Sequence, residues 1–279
     1  MEKLKAYLEE CQAKKEWLKR DRNNPALIKN RLDNVYNYMG RLNDGSYDAT
    51  KLNTGIAAVD RVTGGLEFCD LVAINGDRGS GRTALALHYA IDVAEKTHKP
   101  VRIYSQSHSS HQITIRLLSM LTGVPISLIE EAKLDDEQWT QLAIASNWLS
   151  GQNIQIYDLG MGVQQLLDSL EDEYDLGLLI IDGAPLGELE PETLQNMLLF
   201  AEVTRCCVLF NCNYPSVAPY IEGCVSKVLW LEHLEEDVYS FELRWTWHGH
   251  RQQSRLYWNK SCLRFMDEPF CIDNPDDCV

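Results

Sequence analysis

The chain has 279 residues, 45% hydrophobic and 24% charged, with a formal net charge of −15. That composition fits one large domain, or one domain with an appendage. It disfavours a surface built for DNA, because such affinity comes from cations displacing counterions from phosphates; a local basic channel, or one assembled between subunits, escapes that exclusion. No apolar run approaches the roughly 18 residues that span a bilayer, and the charged start "MEKLKAYLEE" lacks a signal-peptide core. A cytoplasmic location without membrane contact is the expectation.

The first 45 residues read as a helical extension. Leu4, Tyr7, Leu8, Cys11 and Leu18 share one face at helical spacing, Asn24 and Pro25 supply an N-cap and first-turn proline, and Ile28, Leu32, Val35, Tyr36 and Met39 form a second stripe ending at Gly40. This second helix either packs on a neighbouring subunit or folds back on its own core. The polar stretch "NDGSYDATKLN" links it to a core expected over 46–266, followed by an acidic tail over 267–279. From Leu71 the pattern alternates. The short runs "LVAIN", "VRIYS", "IQIYD", "LGLLIID" and "CCVLFNC" are apolar throughout, as in strands buried on both faces of a largely parallel sheet covered by helices. Beyond residue 225 helical segments stop, and "SKVLWLEH", "SFELRWTW", "SRLYW" and "CLRFM" read as shorter hairpin strands. The fold class is therefore α/β with a β-rich C-terminal end. Cys206, Cys207 and Cys224 fall in apolar surroundings as small hydrophobes. There is no C-x-x-C pair, and His248, His250 and Cys262 match no common zinc spacing.

Residues Gly76, Asp77, Arg78, Gly79, Ser80, Gly81, Arg82 and Thr83 fit the phosphate-loop pattern G-x-x-x-x-G-K-[ST] with one substitution, between a strand and a helix as that motif requires. The glycines let backbone N–H groups wrap a phosphate, and the helix N-terminus adds partial positive charge. Thr83 is placed to bind Mg²⁺ through its hydroxyl. Arg82 stands where the pattern has lysine, and a planar guanidinium is no conservative replacement for an ammonium. Binding of ATP is compatible with it; efficient hydrolysis is not expected. Asp182, at the end of "LGLLIID", is the candidate carboxylate for Mg²⁺. A water-activating acid is expected at the end of the strand after the loop's helix, yet that strand leads into "YSQSHSSHQ". Ser107 there is neutral and cannot act as a base; His108 and His111 read as loop or helix-start residues.

Together these residues resemble the C-terminal motor domain of the DnaB family of replicative hexameric helicases, within the RecA-like superfamily. The likeness runs from about Thr54 to Phe265 and includes "TGIAAVDRVTGGLEFCDLVAI", "RLLSMLTGVPISLI", "KLDDEQWTQLAIASNWLS" and "LGLLIID". It implies a RecA-like P-loop core, ATP and Mg²⁺, ring assembly and DNA translocation. On that resemblance the family's catalytic glutamate falls on Ser107, its sensor glutamine near Cys212, and its basic K-x-R pair on Trp245 and Trp247. Arg251 and Arg255 lack the family's spacing, and the DNA-contacting loop shrinks to "NYPSVAPYIEG" without a lysine or arginine. Trp245, Trp247 and Trp258 read as packing residues rather than base-stacking ones. The expectation is a degenerate helicase-domain protein that acts as a homo-oligomer or with a replicative helicase or another replication protein. The alternatives are a divergent helicase using a repositioned acid such as Glu188 or Glu190, and an ATP-binding switch without hydrolysis.

Overall fold

Each apolar run read as a strand forms one in the computed structural model, which describes residues 51–157, 160–170, 173, 175–183, 190–212, 219–246 and 251–268. The chain divides after Lys51 into two units. The helices expected over 1–45 lie outside the described residues, as do Glu188, Trp247, His248, His250, residues 213–218 and the tail beyond 268.

Helix α1 (Ala57–Thr63) precedes strand β1 (Leu71–Gly76) and helix α2 (Arg82–Thr97). Strand β2 (Val101–Ser105) leads into α3 (Ser110–Thr122), α4 (Ile126–Glu130) and α5 (Asp136–Ser150). Then come β3 (Ile154–Tyr157), α6 (Val163–Ser169), β4 (Leu178–Asp182), α7 (Pro191–Thr204), β5 (Cys207–Asn211) and α8 (Pro219–Cys224). Four strands close the described chain: β6 (Lys227–Glu235), β7 (Val238–Thr246), β8 (Gln252–Asn259) and β9 (Arg264–Met266). They form one sheet in the order β3-β2-β4-β5-β1-β6-β7-β8-β9. Pairing is parallel as far as β6 and antiparallel from β6 to β9.

The continuous apolar runs have the burial they imply. Strands β1, β2, β4 and β5 are buried at every residue, whereas the edge strand β3 is not. Successive side chains alternate between faces. Val72, Ile74, Ile103, Ile180 and Leu209 pack with Leu85 and Tyr89 of α2, while Leu71, Ala73, Ile181 and Phe210 pack with Leu166 of α6 and Met197 of α7. Each such aliphatic or aromatic side chain contributes about 1.5–3 kcal/mol by leaving water. The helices begin where local chemistry starts them. Ser109 and Gln112 form a reciprocal capping box at α3, Asp135 and Gln138 another at α5, and Pro191 occupies the first turn of α7. Asp267, the first residue of the stretch read as a tail, caps α1 by accepting from the Ala57 and Ala58 N–H groups at 2.9 and 2.6 Å. Among the described residues, no helix is long and apolar enough to cross a membrane.

Candidate functional site

Parallel strands aim their carboxyl ends at one edge of the sheet, and ligand crevices of α/β folds lie outside that edge. Here the ends of β1, β2, β4 and β5 meet the N-terminus of α2. The backbone at the end of β1 admits only glycine. A Cβ on Gly76, whose φ is +153°, would lie 2.3 Å from the Leu231 carbonyl oxygen of β6. Five residues on, Gly81 (φ +86°) opens α2, and a Cβ there would meet Phe265 Cζ at 2.5 Å. Phe265 pairs with Trp258 across β8 and β9, their ring centroids 4.7 Å apart, and with Tyr239 at 5.4 Å. An aromatic cluster from the C-terminal hairpins thus supports the phosphate loop from outside.

Asp182 is the centre of the site. It ends β4, 2% exposed. Both its oxygens are fully engaged: Oδ1 accepts from Thr83 Oγ1 at 2.8 Å and Asn211 Nδ2 at 2.5 Å, and Oδ2 accepts from Ser105 Oγ at 2.8 Å and faces His108 Nδ1 at 3.2 Å. The partners come from α2, the ends of β5 and β2, and the β2–α3 loop. Burial pushes the carboxyl pKa up, but the hydrogen bonds from His108, Ser105, Thr83 and Asn211 outweigh it and hold the group below the ordinary value. Asp182 is therefore an anion, fixed in one orientation.

The arginines are tied differently. Arg82 does not simply fill a lysine's place: its guanidinium donates to the Cys212 carbonyl at the end of β5, joining the phosphate loop to the strand end. Arg116, from α3, donates to His108 Nε2 at 2.9 Å. A guanidinium can only donate, so Nε2 accepts, and Nδ1 carries the proton that faces Asp182. His108 is then neutral with both ring nitrogens engaged. Burial lowers the pKa of both Arg82 and Arg116, the mark of cations partly stripped of water.

A cleft of about 610 Å³ opens over these groups, lined by residues 78–84, Ser107, His108, Arg116, Asp182, Gly183, Asn211, Trp258 and Leu263. Most of the residues read from sequence as a site therefore do converge. Arg78 to Thr83, Asp182 and Ser107 line one cavity, while Gly76 and Asp77 shape the loop beneath it. His108 lies in the β2–α3 loop as expected and is also a member of the Asp182 network, whereas His111 is exposed on the first turn of α3. Trp258 packs on Phe265 as expected and also lines the cleft. Cys212 contributes its backbone carbonyl and donates its thiol to the Ile74 carbonyl at 3.7 Å. Glu190 precedes α7, and Glu190, Arg251 and Arg255 are exposed and do not line the cleft. Cys262 donates its thiol to the Gly123 carbonyl at 2.9 Å. Cys206 and Cys207 are buried, and desolvation pushes the Cys206 thiol up to about 12, as befits packing groups.

Sequence reading missed Ser105, Asn211 and Arg116. The first two are polar residues ending apolar strands, a signal that gains meaning only once β2 and β5 are known to flank β4. Thr83 and Asp182 form the hydroxyl–carboxylate pair that suits Mg²⁺ beside phosphate oxygens. The Asn211 Oδ1 and Ser80 Oγ atoms are buried without partners among the described residues, two polar atoms that a phosphate and its water shell would satisfy. The donor set fits the phosphates of a nucleotide, with Thr83 and Asp182 the pair a metal would draw on.

Relatives agree with this reading of the fold. The replicative DNA helicase DnaC of Bacillus subtilis is 31% identical over 159 residues, 56% of this chain and 35% of that protein. The replicative DNA helicase DnaB of Helicobacter pylori is 29% identical over 166 residues, 58% of this chain and 34% of that one. The chain thus spans about a third of the length of the curated relatives it matches. Among solved structures, the ATPase domain of G40P superposes with a TM-score of 0.73 at 17% identity, covering 87% of this chain and 99% of that one. A DnaB-like replicative helicase, solved in a study of its interactions with primase, gives 0.71 at 16% identity over 84% of this chain and 66% of that one. Residues 51–196 match the family described as the DnaB-like helicase C terminal domain. The chain belongs to that family.

Proposed function

We propose that the cleft binds a nucleoside triphosphate and that the chain works through binding and association rather than turnover. It would be a nucleotide-binding, hydrolysis-deficient member of its family, acting in DNA replication as its own oligomer or with a replicative helicase or another replication protein. The observation that carries this reading is the contrast inside the cleft: the phosphate loop and Asp182 are preassembled, while among the described residues that line it no group is free to take a proton from water. Ser107 has a neutral hydroxyl. The His108 lone pair at Nε2 already accepts from Arg116. A general base must reach the proton it abstracts through an available lone pair.

In this reading the backbone N–H groups at the start of α2 hold the β-phosphate. Arg116 and the unused N–H groups of Arg82 meet the outer phosphates, and the base lies against Trp258, where the cleft turns aromatic. Thr83 and Asp182 are the residues that would hold Mg²⁺, whose part is to neutralise charge on the phosphates. Tying Arg82 to the Cys212 carbonyl suits holding a phosphate better than following it through transfer, where small misplacements cost rate.

Calorimetric titration with ATP and Mg²⁺, beside a turnover assay with and without single-stranded DNA, tests the reading. Expected are binding at about the micromolar level, worth about −8 kcal/mol, and turnover no higher than that of Asp182→Ala. DNA-stimulated hydrolysis abolished by that substitution would make the chain an active motor instead. A change in assembly size on adding ATP would make it a nucleotide-operated switch.

A further inference from the structure

Three guanidinium groups, Arg78, Arg82 and Arg116, line the cleft against one carboxylate, Asp182, a formal local charge of +2 with His108 neutral. This is a cationic pocket in a chain of net charge −15. Arg116 has no ion-pair partner among the described residues. Its hydrogen bond goes to a neutral imidazole. A half-buried cation that touches no carboxylate, and feels only the more distant charges of Asp182 and Glu130, carries a desolvation cost that an anion entering the cleft would offset.

The carboxylate a divalent cation would draw on is, by contrast, already satisfied. Its oxygens have about four lone-pair directions between them, and Thr83, Asn211, Ser105 and His108 occupy them. A metal ion held by Asp182 must displace one of these contacts. Among the described residues no second carboxylate lines the cleft, and no group of three or more His, Cys, Asp or Glu is placed to hold a metal. The residues that fit Mg²⁺ therefore gain little by binding it, whereas the arginines gain by meeting phosphate directly.

We infer that this cleft takes nucleoside di- or triphosphate as the free anion, its arginines supplying the countercharge that Mg²⁺ would otherwise bring, so that binding does not depend on a divalent metal. The inference rests on the nucleotide-binding reading above and names the form of its ligand. Arg116 is the residue on which it turns. A guanidinium meets two phosphate oxygens in parallel, and leaving His108 costs it one hydrogen bond to a neutral partner.

The test is calorimetric titration of the full chain with ATP and with ADP, once in excess EDTA and once in Mg²⁺, with Arg116→Gln measured in EDTA. The dissociation constants in EDTA and Mg²⁺ should agree within about threefold, and Arg116→Gln should weaken binding in EDTA by about tenfold or more. Raising the salt concentration should weaken the EDTA complex as well. If Mg²⁺ tightens binding more than about tenfold, the inference is overturned while the nucleotide site stands. If nothing binds in either buffer, checked by equilibrium dialysis, both fall. The wild-type comparison holds whether or not the variant folds.

Discussion

On one wall of the cleft, Gly76 to Thr83 and Asp182 keep the pattern that holds phosphate. On the other, the β2–α3 segment carries Ser107, His108 and Arg116, and the acid that the family resemblance places there is missing. The first wall is structural whatever it binds. Gly76 lies against the β6 backbone, Gly81 against Phe265, and Asp182 gathers donors from four segments. Replacing any of these disturbs packing whatever happens to chemistry. Ser107 lies in a bend between β2 and α3 and is exposed, so its identity costs the fold little. On the proposed reading, a phosphate loop outlasts the turnover it once served, and its presence alone is weak grounds for assigning an enzyme.

Substitutions on the two walls should separate sharply. Phe265→Ala removes a side chain 2% exposed beneath Gly81, and should cost about 3–5 kcal/mol in urea unfolding. Ser107→Ala should stay within about 0.5 kcal/mol of wild type. Equal losses would erase the distinction.

Asp182→Ala strands four donors, two of them wholly buried with the carboxylate, and should cost about 3 kcal/mol. Its pH dependence has a definite sign. The folded-state pKa lies below the ordinary 3.8, so the stabilisation from the carboxylate is fully present above the unfolded value. It is lost as pH falls through the folded one. The difference in melting temperature between wild type and Asp182→Ala should hold constant from about pH 8 to pH 5 and shrink below about pH 4. A gap that widened on acidification would mean that Asp182 is protonated in the fold.

If the second wall is what fails in turnover, restoring it should restore rate. The double substitution Ser107→Glu with Arg82→Lys returns a base and a slim cation to the pattern, and a positioned base is worth about 10²-fold or more. Steady-state phosphate release should rise by that factor over wild type. No rise would place the deficit elsewhere, for instance in groups that a neighbouring subunit supplies.

The fold was largely legible because continuous apolar strands announce a parallel sheet, and each run from "LVAIN" to "CLRFM" became a strand. The site was legible along the chain but not across it. The phosphate loop is contiguous, so its residues identify one another, and Asp182 follows an obvious buried strand. Ser105, Asn211 and Arg116 gain meaning only from the order in which β2, β4 and β5 lie side by side and from the face that α3 turns inward. The contact of His108, a loop residue as expected, was missed for the same reason: in a run of serines and histidines nothing marks one ring as reaching a strand end 74 residues away.

On the proposed reading, Trp258 offers the finest division of the cleft, into a part for phosphate and a part for a base. It packs on Phe265 at 4.7 Å and lines the cavity, so its substitution mixes a structural effect with a binding one. Stacking on an aromatic side chain is worth about 1 kcal/mol or somewhat more per base, and Trp258→Ala should weaken ATP binding by about fivefold to tenfold. Two controls isolate the base. Inorganic tripolyphosphate has no ring to stack, so its affinity should change by less than about twofold. Trp258→Phe keeps an aromatic face toward Phe265 and should recover most of the ATP affinity. If both ligands weaken equally, the indole acts by holding the loop around Gly81, and the cleft is a phosphate site with no base pocket of its own.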